Sequence, residues 1–151
     1  EFNIYVDPLA ADIVLNSGIP LVMVGLNVTM RTLLHPQEIE SLTAGDSQIC
    51  TDCRILAQGL VDAYRKAGYT SGIALHDALA VAYAIDPEVL ECEEFAVMVE
   101  RKSSLNMGRT AVEIDHVSNP HSKNCQVALR SNKKRFLSLL SDMIRFYSER
   151  G

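Results

Sequence analysis

The chain has 151 residues, enough for one ordinary domain with a sizeable core. Hydrophobic residues make up 48% and charged residues 22%, a globular composition that excludes a disordered chain. The net charge of -5 argues against a generic electrostatic binder of nucleic acid and against an anionic membrane surface as partner.

No apolar run reaches the ~20 residues that a spanning helix needs. The start, "EFNIYVDPLAAD", lacks the basic and then apolar regions of a signal peptide. Four cysteines are too sparse for a disulfide framework, so a reducing, cytoplasmic setting is expected.

In chain order, residues 3–6 ("NIYV") read as a short strand. A helix follows, with Asp7 as N-cap, Pro8 at its first position and Gly18 as its stop. The continuous apolar run 20–29, "PLVMVGLNVT", reads as a buried strand. Strand, helix and strand in that order make one turn of an α/β layer fold. Residues 35–42 read as a short helix. A long helix is expected from Ser47 to Lys66, with Ile49, Cys53, Leu56, Leu60 and Tyr64 on its apolar stripe and Gly68 closing it.

The next helix, 76–85, opens with His76-Asp77 and ends at Asp86-Pro87. Strands are expected over 94–101, 109–117 and 125–130, with 106–108 in a connection and "NPHSKN" as a turn. A last helix over 132–149 carries Phe136, Leu140, Met143 and Tyr147 on one stripe. There is no internal repeat, low-complexity tract or interdomain linker, so 1–151 reads as a single domain.

His76-Asp77 is the sharpest local feature. A carboxylate in the first turn suits the positive end of a helix. It also suits a hard cation such as calcium, which takes oxygen ligands. The imidazole beside it can deliver a proton near neutral pH. The plain alternative is a helix-start carboxylate beside a capping or core histidine.

Several separated segments then match one family in the right order. "EFNIYVDPLAAD", "PLVMVGLNVT", "LHDALAVAYAIDP", "GRTAVEID" and "NCQVALRSNKKRFLSLL" together resemble the inosine–uridine preferring nucleoside hydrolase family over nearly the whole chain. The resemblance implies an α/β fold, a mixed sheet flanked by helices. It implies hydrolysis of the N-glycosidic bond of a ribonucleoside, giving ribose and free base, with calcium holding the ribose hydroxyls and the attacking water. By position it implies Asp77 as a calcium ligand and His76 as proton donor to the base. It implies Glu1 and Asn3 as ribose contacts and Tyr64 beside the base. A homo-oligomer is also implied.

The family's aspartate-rich segment, of the type D-x-D-x-G-x-D-D, does not occur in 1–151. The chain therefore reads as the carboxyl-terminal half of the enzyme, expected to be inactive alone and to pair with an amino-terminal half or with itself. The alternative is a catalytically silent remnant with an oligomerising or structural role.

Other features have plainer readings. Cys50-x-x-Cys53 is a redox pair or half a zinc site in outline, but a helix with apolar periodicity makes two helix cysteines the simpler reading. Cys92 and Cys125 read as plain thiols. His35, His116 and His121 read as loop or helix-start residues, and Lys133-Lys134-Arg135 as a solvated face. Asn106 to Thr110 read as a hairpin connection.

Overall fold

The computed structural model describes residues 1–114 and 121–150. The expected position of His116, part of the "NPHSKN" turn and the end of the 109–117 strand lie outside the described residues. The chain folds as two compact units, Glu1–Leu26 with Glu91–Arg130, and Asn27–Leu90 with Ser131–Gly151.

In the first unit, helices α1 (Phe2–Val6) and α2 (Pro8–Leu15) are followed by the short strand β1 (Val22–Met23). The chain returns as β2 (Leu90–Phe95), β3 (Val97–Val99), β4 (Thr110–Val112) and β5 (Cys125–Ser131). One sheet has the order β1-β5-β2, and β3 pairs with β4 in a second. β1 runs parallel to β5, with Val22 opposite Gln126 and Met23 opposite Val127. β2 runs antiparallel to β5: the Asn124 amide donates to the Phe95 carbonyl at 3.0 Å, and Arg130 pairs with Glu91 at 3.3 Å. The sheet is therefore mixed, as expected. Leu15, Val97, Val99, Cys125 and Val127 form its buried cluster, with Ile4, Ala11 and Leu129 packed against it.

Two expected strands are wholly or partly helical here. Residues 3–6 lie in α1, where the Tyr5 amide donates to the Glu1 carbonyl at 2.9 Å. Tyr5 and Val6 are more than 60% exposed, so their strand-like side chains have no sheet face to cover. Asp7 then caps α2, its carboxylate accepting from the Ala10 amide at 2.9 Å. Of the run 20–29 only Val22 and Met23 make a strand. The Leu26 amide is taken by Glu1 Oε1 at 2.6 Å instead of a neighbouring strand, and a turn of helix, α3 (Leu26–Thr29), begins there.

The expected strand 94–101 is broken at Ala96. Asn124 donates through its side chain to the Val97 carbonyl at 2.9 Å and accepts from the Val97 amide at 2.8 Å. That side chain replaces the next ladder step, and the chain leaves β5 to pair with β4.

In the second unit, α4 (Pro36–Leu42), α5 (Gln48–Lys66), α6 (His76–Ile85) and α7 (Lys133–Ser148) fall where periodicity places them. Caps explain the boundaries: Ser47 accepts from the Cys50 amide, and Asn132 accepts from the Arg135 amide. The stripes match those expected only in part. On α5, Leu56 is 70% exposed, and Cys50, Cys53, Ala57, Val61 and Tyr64 turn inward. On α7, Phe136 is buried with Leu140 and Ile144 on its side, while Met143 and Tyr147 are exposed. Apolar residues ring more than one face of each helix, so spacing alone does not fix the phase.

The basic start of α7 is not simply solvated. Lys133 pairs with Glu38 at 2.7 Å, and Arg135 pairs with Asp86 and with Glu88. These pairs tie the start of α7 to α4 and to the end of α6. Among the described residues no helix is long and apolar enough to cross a membrane.

Phe136→Ala is expected to cost about 3–5 kcal/mol of unfolding free energy in urea. Leu56→Ala, on the exposed side of α5, is expected to stay within about 0.5 kcal/mol of wild type. The hydrogen bond from Arg135 holds the Asp86 carboxyl below the usual carboxylate range. A carboxyl lowered by folding contributes stability at pH above its ordinary range and loses it as pH falls through the folded value. The urea midpoint of Asp86→Asn, low at neutral pH, should therefore converge on that of wild type in acid.

Candidate functional site

The second unit gathers its chemistry around His76, the first residue of α6. Its ring is held on both nitrogens. Nδ1 lies 2.8 Å from Thr29 Oγ1, and Nε2 lies 3.0 Å from the Tyr64 hydroxyl. The Tyr64 hydroxyl also donates to the Ala74 carbonyl at 3.4 Å. Three elements meet here: the end of α3, the last turns of α5 and the start of α6. Thr29 is 2% exposed, and His76 and Tyr64 are half-buried.

The register is set a few residues away. Leu34 and Ile73 form an isolated antiparallel bridge, with amide-to-carbonyl distances of 2.8 and 3.0 Å. It follows Thr29 by five positions and precedes His76 by three, so it fixes the distance between the two segments. Gly72 makes the bridge possible. Its φ is +147°, and a Cβ there would stand 2.5 Å from the Leu34 carbonyl oxygen.

Asp77 follows in the first turn of α6, and its side chain is exposed. Its charge sits at the positive end of the helix. No hydrogen bond or ion pair engages that carboxylate among the described residues. Tyr64 stacks obliquely on Tyr69, with ring centroids 5.7 Å apart.

Glu1 and Asn3 belong to the first unit. Glu1 is committed through Oε1 to the Leu26 amide, and Asn3 is exposed on α1. Glu1, Phe2 and Tyr5 line an open groove of about 520 Å³ with residues 105–109. The loop can approach because residue 108 is glycine: a Cβ there would lie 2.6 Å from Tyr5 Cα. Of the residues singled out in the sequence, Tyr64 and His76 are thus brought into contact within one unit.

Thr29 was not singled out. It sits in a run that reads as strand, and nothing in its spacing points to a histidine 47 positions later. Calcium takes six to eight oxygens. Among the described residues no three His, Cys, Asp or Glu side chains gather as a metal site. Asp77 alone does not meet that demand.

The sequence comparisons identify the setting. The family model for inosine-uridine preferring nucleoside hydrolases matches residues 1–138, and the chain belongs to that family. A pyrimidine-specific ribonucleoside hydrolase, RihA of Escherichia coli O9:H4 (strain HS), is 35% identical over 98% of this chain and 48% of its own length. Among solved structures, the purine-preferring ribonucleoside hydrolase from Gardnerella vaginalis is 32% identical with a TM-score of 0.85, over the whole of this chain and 48% of that one. A plant nucleoside hydrolase, PpNRh1, is 27% identical with a TM-score of 0.83, over 95% of this chain and 47% of that one. The chain spans about half the length of the relatives it matches.

Thr29→Val keeps the shape of a buried side chain and leaves the imidazole Nδ1 without its partner. It is expected to cost about 1–3 kcal/mol in urea unfolding and to mobilise the His76 ring in proton–nitrogen correlation spectra. Gly72→Ala should cost at least as much, because both φ and the Leu34 contact oppose a side chain.

Proposed function

We propose that this chain takes part in ribonucleoside hydrolysis, cleaving the N-glycosidic bond to give ribose and a free base. The observation that carries this reading is the His76 imidazole held between Thr29 and Tyr64, one residue before an exposed carboxylate, in a chain of this family.

Departure of a base from ribose builds oxocarbenium-like positive charge on the sugar. A proton delivered to the leaving base helps it go. His76 is our candidate donor: its ring orientation is fixed by Thr29, and Nε2 reaches a base by exchanging the Tyr64 hydroxyl for it. Tyr64 then lies beside the base. Glu1 and Asn3 are our candidates for the ribose hydroxyls. Asp77 is our candidate for one carboxylate of a calcium site whose other oxygens come from outside the described residues. A cytoplasmic location and a homo-oligomeric state belong to the same proposal. The relatives named above include pyrimidine-specific and purine-preferring enzymes, so family membership bears on the bond and not on the base.

The short supply of metal-binding oxygens favours a second reading for residues 1–151 acting alone: a catalytically silent chain that serves by association. The exposed Leu9, Ile13 and Val14 of α2 give it an apolar surface for that role.

The purified 151-residue chain with calcium should therefore show no measurable release of base from inosine or uridine, and no heat of calcium binding by calorimetry. Cleavage by the chain alone would overturn that expectation. Once the chain is assembled with the polypeptide that matches the rest of its relatives, activity should appear. His76→Ala should then lower kcat by roughly 10²–10⁴. An unaltered kcat in that variant would remove His76 as the acid.

A further inference from the structure

The first turns of α5 carry two thiols that nucleoside cleavage does not use. Cys50 and Cys53 are both free. Helix geometry puts the Cα atoms of residues three apart at about 5 Å, with their side chains on one face. That separation falls inside the roughly 4.4–6.8 Å that a disulfide spans.

The two sulfurs have different surroundings. Cys50 is the third residue of α5, where the positive end of the helix favours an anion. Its Sγ lies 3.5 Å from the Ser148 hydroxyl. The Ser47 hydroxyl donates to Ser148 Oγ at 2.9 Å, so the Ser148 proton is left to be given to the sulfur. Ser47 in turn accepts from the Cys50 amide at 3.1 Å.

A loop covers the thiol. The Ala44 carbonyl is 3.8 Å from Sγ, and a Cβ at Gly45 would stand 3.1 Å from it. Arg54 holds that loop by donating to the Thr43 and Gly45 carbonyls at 2.7 and 3.2 Å. Cys50 is buried, whereas Cys53 is only partly so. The hydrogen bonds of Ser47 and Ser148 hold the Cys50 thiol down, and burial pushes the Cys53 thiol up. One sulfur is thus covered and hydrogen-bonded, and the other is within reach of a small reagent.

We propose that Cys50 and Cys53 form a dithiol that exchanges with low-molecular-weight disulfides and closes a disulfide within α5. The Cys53 thiolate attacks one sulfur of the small disulfide, and the first thiolate leaves as its S–S bond breaks. The Cys50 thiolate then attacks the Cys53 sulfur of the mixed disulfide, and the second small thiolate leaves. The two protons from the cysteines end on the two released thiols. The protein has lost two electrons and the small disulfide has gained them. Closing the bond turns the Cys50 sulfur away from Ser148 and removes one contact between α5 and α7.

The test is to incubate the 151-residue chain with oxidised glutathione and follow it by intact mass and peptide mapping after alkylation. The expected product has lost two hydrogens and carries a Cys50–Cys53 link, with the helical circular dichroism retained. Cys50→Ser should stop at a glutathione adduct on Cys53, and Cys53→Ser should leave the shielded Cys50 unmodified. Because the wild-type measurement needs no variant, the result does not depend on either serine variant folding. A stable glutathione adduct on wild-type Cys53 would overturn the proposal. So would an unmodified chain under conditions that oxidise dithiothreitol, or a link that forms only in denaturant.

Discussion

The arrangement around His76 depends on one constraint: an imidazole that must satisfy two nitrogens away from bulk water. A half-buried ring with an unmet nitrogen costs the free energy of a lost hydrogen bond, about 1–3 kcal/mol. Thr29 and Tyr64 meet both nitrogens, and each comes from a different segment of the second unit. The imidazole therefore ties the end of α3, the last turns of α5 and the start of α6 together. The Leu34–Ile73 bridge does the same work in backbone, and the glycine before Ile73 is what lets the two strands of chain touch. A ring held this way has a defined orientation, which is what the proposed proton delivery to a leaving group needs.

The two acidic features nearby play different parts. Asp77 gives its charge to the helix end and keeps its carboxylate in solvent. Asp86, at the other end of α6, is spent on Arg135 and on the first turn after the helix, where it accepts from the Glu88 amide at 3.1 Å. The same residue type thus closes one end of the helix structurally and leaves the other end open to chemistry. Family membership makes that open end the one of interest, but a single carboxylate remains far from a calcium shell.

Helices with capping residues were legible in the sequence because their signals are local. Asp7-Pro8, Ser47 and the Asp86-Pro87 stop are each satisfied within a few residues. The strands were less legible because their limits are set at long range. Asn124 takes the Val97 amide from 27 positions away, and Glu1 takes the Leu26 amide from 25 positions away. The resemblance singles out His76, Tyr64 and Asp77, and the structure brings the first two into contact. It does not single out Thr29, since a threonine at the end of an apolar run has no pattern that announces a histidine partner. The helix stripes were legible in part, with Cys53, Tyr64, Phe136 and Leu140 turned inward, while Leu56 and Met143 are apolar residues that face solvent.

The approach of residue 108 to Tyr5 sets a limit of a different kind. At that position φ is +75°, and backbone atoms of α1 occupy the space that any side chain would need. Every other amino acid is refused there twice, once by its own torsion and once by its neighbour. Sequence drift in the 105–109 segment can thus alter the groove's lining at four positions while the fifth stays fixed, so any reshaping of that wall has to turn about an unchanging pivot.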